Sequence, residues 1–156
     1  MFTTRTFGAD QLLSLQPCLS QSESAWSVDT LREALNKPHY FLRTVHLQGI
    51  ESEIPVGFLL GTIVVDECSL LYVEVIKEQR NKGCGQTLIT DLISLAKNKC
   101  CHTIHLEVRQ SNLAAIALHL AFGFVISTTR KAYYPALPDS LNQNREDALL
   151  MNLNIA

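Results

Sequence analysis

The chain has 156 residues and no apolar run near the roughly 18 residues of a membrane span. Its start, MFTTRTFGADQ, lacks the long apolar core of a secretion signal. No Cys-x-x-Cys pair occurs. The five cysteines (Cys18, Cys68, Cys84, Cys100, Cys101) are odd in number, which argues against a disulfide framework and a zinc site. A reduced, cytoplasmic setting without a metal is expected. There is no excess charge of one sign. A formal net charge of −2 gives no global pull toward nucleic acid or anionic membrane. Linkers, repeats and low-complexity segments are also missing, so one domain over residues 1–156 is expected.

What is present divides into two patterns. In GADQLLSLQPCL, residues Leu12, Leu13 and Leu15 suggest a helix with Pro17 near its end. In SAWSVDTLREALNKP, Ser27 is a good N-cap for a short helix that stops before Pro38. Residues 39–47, 56–65 and 69–76 read as three strands, with turns over 49–55 and at Asp66-Glu67. These form an antiparallel meander. Apolar residues then recur at 88, 89, 92, 93, 95 and 96, which predicts a helix from Gln86 to about Asn98. Residues 103–109 read as a strand, and SNLAAIALHLAFGF as a helix closed by Gly123. Strands over 125–134 and 148–155 end the chain. The fold class is α+β, with a mixed, mainly antiparallel sheet. Its one parallel crossover joins 69–76 to 103–109 through the intervening helix.

The stretch EQRNKGCGQTLI, from Glu78 to Ile89, places Gly83 and Gly85 just before that helix. Glycine weakens helices, so its presence needs a reason. One reason is a tight strand-to-helix turn with solvated charges. The other is a phosphate cradle. The first N–H groups of a helix have no internal partners and carry partial positive charge, and Arg80 and Lys82 would add to it. The pattern Arg-x-x-Gly-x-Gly lacks the third glycine of a dinucleotide fingerprint and the Gly-Lys-Ser/Thr of a P-loop.

A strand, this turn, a helix, a strand and an alanine-rich helix ending in Gly-Phe resemble the GNAT acetyltransferase superfamily. LEVRQSNLAAIALHLAFGF, RKAYYP and REDALLM narrow the resemblance to the bacterial ribosomal-protein alanine N-acetyltransferases of the RimI type, and SAWS (24–27) is similar to their substrate loop. The likeness covers roughly residues 24 to 153. It implies acetyl-CoA as co-substrate, with the pyrophosphate on N–H groups of Asn81, Lys82, Gly83, Cys84, Gly85 and Gln86, assisted by Arg80. It also implies the pantetheine arm along Val73, Glu74 and Val75, with Asn112 hydrogen-bonded to the cofactor. Asn112 or Ser111 would serve equally well as a plain helix cap.

GNAT enzymes need no covalent nucleophile, because the substrate amine attacks the thioester directly. An α-amine has a pKa of about 7.7–8, so a base must remove only one proton. Glu107 stands at the base position of the RimI type; the plain alternative is a strand glutamate paired with Arg109 or another cation. His119 stands where a tyrosine usually protonates the leaving thiolate. It is either that acid, with an ordinary pKa of about 6.5, or a partly buried helix histidine, in which case Tyr133 or Tyr134 is the donor. Glu74 replaces a small apolar residue; if it faced the acceptor it would set a second carboxylate near Glu107. Cys84, at a helix start, is a position where a thiol pKa can fall, though the chemistry needs no thiol. Trp26, Tyr133 and Tyr134 are candidates for the peptide cleft, or for rim packing.

The implied activity is acetylation of a protein N-terminal α-amine, namely the N-terminal alanine of a small-subunit ribosomal protein, by a monomer or weak dimer that contacts neither nucleic acid nor membrane. Two alternatives stand beside it. Glu74 would suit a small polyamine, drug or lysine side chain as acceptor. The departure at His119 would suit a non-catalytic CoA-binding module.

Overall fold

The computed structural model describes residues 1–22, 25–49 and 54–156. Ser24 of the SAWS stretch and most of the turn expected over 49–55 lie outside the described residues. Among the described residues, seven strands form one sheet: β1 (Phe2–Thr6), β2 (Tyr40–Leu47), β3 (Gly57–Val64), β4 (Glu67–Val75), β5 (Thr103–Arg109), β6 (Val125–Tyr134) and β7 (Glu146–Asn154). Their order is β1-β2-β3-β4-β5-β7-β6. All pairs are antiparallel except β4 with β5, the expected parallel pair. Strand β1 carries only one large apolar residue, Phe2, in FTTRT, and the sequence reading leaves it out. It is an edge strand, held by pairing to β2 from Phe2↔Leu47 to Thr6↔Arg43. The last strand does not simply add to the edge either. β7 enters between β5 and β6.

The helices are α1 (Gln16–Leu19), α2 (Val28–Leu35), α3 (Cys84–Asn98) and α4 (Leu113–Ala121), and a 3₁₀ segment, Ala9–Leu15, runs into α1. Pro17 does not end a helix there. It sits in the first turn of α1, where its missing N–H costs nothing. Ser27 caps α2 as expected, its hydroxyl accepting from the Thr30 N–H at 3.2 Å. Helix α4 closes in a Schellman motif: Gly123 N–H donates to Leu120 O and Phe124 N–H to His119 O, with Gly123 at φ 89°.

The sheet is packed on both faces. Leu88, Ile89, Leu92 and Ala96 of α3 meet Val45, Leu59, Leu70, Ile104 and Leu106 on one face. Leu12, Leu15 and Leu31 meet Leu42, Phe58 and Leu60 on the other. Alternation along β3 explains the division, since Phe58 and Leu60 point opposite to Leu59. Asp91 fastens α3 to the meander: it accepts from Arg43 Nε at 2.6 Å and Nη2 at 2.8 Å, and from the Thr4 hydroxyl at 2.8 Å.

Candidate active site

The site begins where a ladder stops. Strands β4 and β5 pair from Glu67↔Thr103 to Leu70↔Leu106 and no further, although β4 runs on to Val75 and β5 to Arg109. The shift at Leu60/Gly61 marks a bulge in β4 at this point. A bulge bends its strand and increases local twist, which parts β4 from β5. Glu107 is the first β5 residue past the last paired position.

Glu107 opens into a cavity of about 450 Å³ that is also lined by Trp26, Ser69, His105, Tyr133 and Tyr134. Four residues expected from sequence thus come together: Trp26 from the α1–α2 connection, Glu107 from β5, and both tyrosines from β6. The Glu107 carboxylate is paired with Arg130 Nη1 at 3.1 Å, and the Arg130 guanidinium lies 4.8 Å from the Tyr133 ring centre. Arg109, the partner considered from sequence, instead bonds Pro135 O at 2.8 Å and Glu146 at 3.2 Å and covers the Tyr134 ring. Burial, with Glu107 as the next cause, pushes the Tyr134 hydroxyl above its usual range.

The glycine turn fits an anion. Gly83 has φ 91°, and a Cβ built there meets only Gln86 Oε1, at 3.5 Å. Helix α3 has no side-chain cap, so its leading N–H groups are open to a ligand. Gly85 has a different reason. Its Cβ would meet Leu118 Cδ2 of α4 at 3.2 Å, so it lets two helices approach. Lys82 is exposed beside the turn. Arg80, expected on the phosphates, is folded back onto Glu74 and Val75 O, each at 2.9 Å.

Three other side chains depart from the sequence reading. Glu74 does not line the cavity with Glu107. It accepts from the Tyr72 hydroxyl at 2.9 Å and from Arg80, and Tyr72 in turn bonds Ser22. The Cys84 thiol is buried, and burial pushes it up to about 11, opposite to the lowering that a helix start can give. His119 is 2% exposed, lies edge-on to Phe124 with ring centres 5.5 Å apart, and is not part of the cavity wall. The Schellman motif explains this, since His119 and Phe124 are its hydrophobic pair. Burial lowers the His119 pKa to about 4, and its Nδ1 has no hydrogen-bond partner among the described residues. Asn112 caps α4, its carbonyl accepting from Ala115 N–H at 3.2 Å. Arg130, His105 and Ser69 were not singled out from sequence. Strand alternation on β5 could have flagged His105, two residues before Glu107. Nothing local could have flagged Arg130, which reaches Glu107 across β7.

Residues 10–124 match the Acetyltransferase (GNAT) family. The [ribosomal protein bS18]-alanine N-acetyltransferase of Escherichia coli K12 is 34% identical over 114 residues, covering 73% of this chain and 74% of that protein. The Haemophilus ducreyi enzyme of the same name is 32% identical over 149 residues, covering 96% and 91%. The crystal structure of the ribosomal-protein-S18-alanine N-acetyltransferase from Escherichia coli superposes with a TM-score of 0.85 at 29% identity, covering 100% of this chain and 95% of that one. Arabidopsis thaliana NAA60 in complex with acetyl-CoA shares the fold at a TM-score of 0.84 and 16% identity, covering 99% of both chains. With its parted β4–β5 pair, its open glycine turn and these matches, the chain belongs to the GNAT acetyltransferase family.

Proposed function

We propose that the protein transfers the acetyl group of acetyl-CoA to the N-terminal α-amine of a protein, and that the acceptor is the N-terminal alanine of ribosomal protein bS18. The observation that carries this reading is Glu107. Its carboxylate stands where β4 and β5 part and faces a cavity walled by Trp26, Tyr133 and Tyr134. The activity of the bS18-alanine N-acetyltransferases that the chain resembles and the acetyl-CoA in the NAA60 structure support the acceptor and the donor.

Acetyl-CoA supplies the activated acyl carbon. The chain's residues do the rest. N–H groups from about Asn81 to Gln86 would hold the pyrophosphate, with Lys82 as nearby charge, and Asn112 would offer its side-chain amide. Backbone groups of Val73 and Val75 would serve the pantetheine arm. Trp26, Tyr133 and Tyr134 position the peptide. Glu107 takes the proton released by the attacking amine, directly or through water. At neutral pH the buried His119 is an uncharged imidazole outside the cavity wall, so it is not an imidazolium acid, and Tyr133 or Tyr134 on that wall is the proton donor to the leaving thiolate. The small-polyamine alternative rested on two carboxylates sharing the acceptor site. With Glu74 held by Tyr72 and Arg80, that motive falls away.

Intact-mass spectrometry of bS18 after incubation with the enzyme and acetyl-CoA tests the reading. One added acetyl group on the N-terminal peptide is expected. An unmodified N-terminus after full conversion conditions would rule out the acceptor.

A further inference from the structure

We infer that Glu74 and Arg80 form an internal clasp over the free edge of β4, so that the pair limits the affinity for the acyl donor by occupying backbone groups its pantetheine arm needs. The inference rests on the acetyl-CoA reading above.

The geometry starts from which way Val75 faces. Ile76 N–H donates to Val56 O at 3.0 Å, so the Ile76 amide points toward β3. Backbone groups of successive residues in a strand point to opposite edges. The N–H and C=O of Val75 therefore point the other way, toward β5. Pairing on that side has already ended at Leu70↔Leu106. An open edge of this kind presents one donor and one acceptor that must be satisfied.

Here two side chains satisfy them. Glu74 Oε1 accepts from the Val75 N–H at 3.2 Å. Arg80 Nε donates to Val75 O at 2.9 Å. Arg80 Nη2 then closes the ring on Glu74 Oε1 at 2.9 Å, and the Tyr72 hydroxyl holds the second carboxylate oxygen at 2.9 Å. Carboxylate and guanidinium together present one acceptor and one donor to the edge, which is what an amide of the pantetheine arm would present. Ligand and clasp compete for the same two groups. Glu74 is the more buried member, with its side chain 14% exposed against 46% for Arg80. Displacing the clasp also releases the Arg80 guanidinium, which is anchored at the start of the glycine turn and is then free to turn to the pyrophosphate. Glu74 thus opposes donor binding twice, by covering Val75 N–H and by retaining Arg80.

Isothermal titration of CoA into the full-length protein tests this without requiring turnover. Wild-type binding checks the donor reading by itself; the ratio between variants checks the clasp. Glu74→Ala is expected to bind CoA about 5-fold more tightly, the order that one or two net hydrogen bonds supply. Amide hydrogen exchange of the 71–82 segment should be faster in ligand-free Glu74→Ala than in ligand-free wild type, and equal in the two CoA complexes. Glu74→Gln keeps the shape and the Tyr72 bond but loses the ion pair, and should tighten binding by a smaller factor. It serves as the second variant if Glu74→Ala does not fold. Unchanged or weaker CoA binding by a folded Glu74 variant would overturn the clasp while leaving the donor reading intact.

Discussion

His119→Leu is the substitution that most directly tests how burial governs this site. The His119 imidazole is 2% exposed, carries an unpartnered Nδ1, and has its pKa lowered by burial to about 4. In the unfolded chain a histidine titrates near 6.5. Between those values the unfolded state binds the proton and the folded state does not, so stability is full above pH 6.5 and falls as pH falls toward 4. At pH 5 the unfolded imidazole is almost wholly protonated and the folded one about one-tenth so. The linkage relation then assigns His119 a loss of about 2 kcal/mol between pH 7.5 and pH 5, rising to the order of 3 kcal/mol below pH 4. Leucine keeps the contact with Phe124 and removes the buried polar atom, so at pH 7.5 the variant should lie within about 1 kcal/mol of wild type. Urea unfolding at pH 7.5, 6.5, 5.5 and 5 measures the gap between the two proteins, in which all other titrating groups cancel. The gap should move by about 2 kcal/mol in the variant's favour on going to pH 5. A constant gap would refute the claim that His119 is buried and neutral, and would restore it as a candidate imidazolium acid.

Glu107→Gln should lower kcat by roughly 10²- to 10⁴-fold in a thiol-release assay, with CoA affinity by calorimetry unchanged. That result would also dispose of the non-catalytic binding module. Asp91→Ala leaves Arg43, only 18% exposed, without its carboxylate, and should cost about 2–3 kcal/mol in chemical denaturation, short of a fully buried pair.

Much of the fold was legible because it is written in local periods. The i, i+3, i+4 stripe from Leu88 to Ala96 permits only a helix with one buried face, and it became α3. Strand runs over 39–47, 56–65 and 69–76 became β2, β3 and β4 with ends moved by one or two residues. Ser27 and Gly123 acted as helix start and stop signals, respectively, because capping is a contact between near neighbours. Strand β1 was illegible, since a polar edge strand is stabilised by its partner and not by its own pattern. Residues Trp26, Glu107, Tyr133 and Tyr134 were readable as a set through resemblance, and the fold brings them to one cavity.

The sequence by itself determined the element types and the glycine turn, because each depends on interactions a few residues long, and the parallel crossover after β4, because the connection through α3 is long enough for one. Tertiary structure alone decided the charges around the site. Insertion of β7 between β5 and β6 set Arg130 within reach of Glu107, a pairing between side chains 23 positions apart in sequence. Likewise, the end of the β4–β5 ladder freed Val75 for Arg80 and Glu74, and the closure of α4 against Phe124 drew His119 out of water. Pattern fixes what a segment becomes, whereas partner and burial are set by the rest of the chain, and the electrostatics of this site follow from partner and burial.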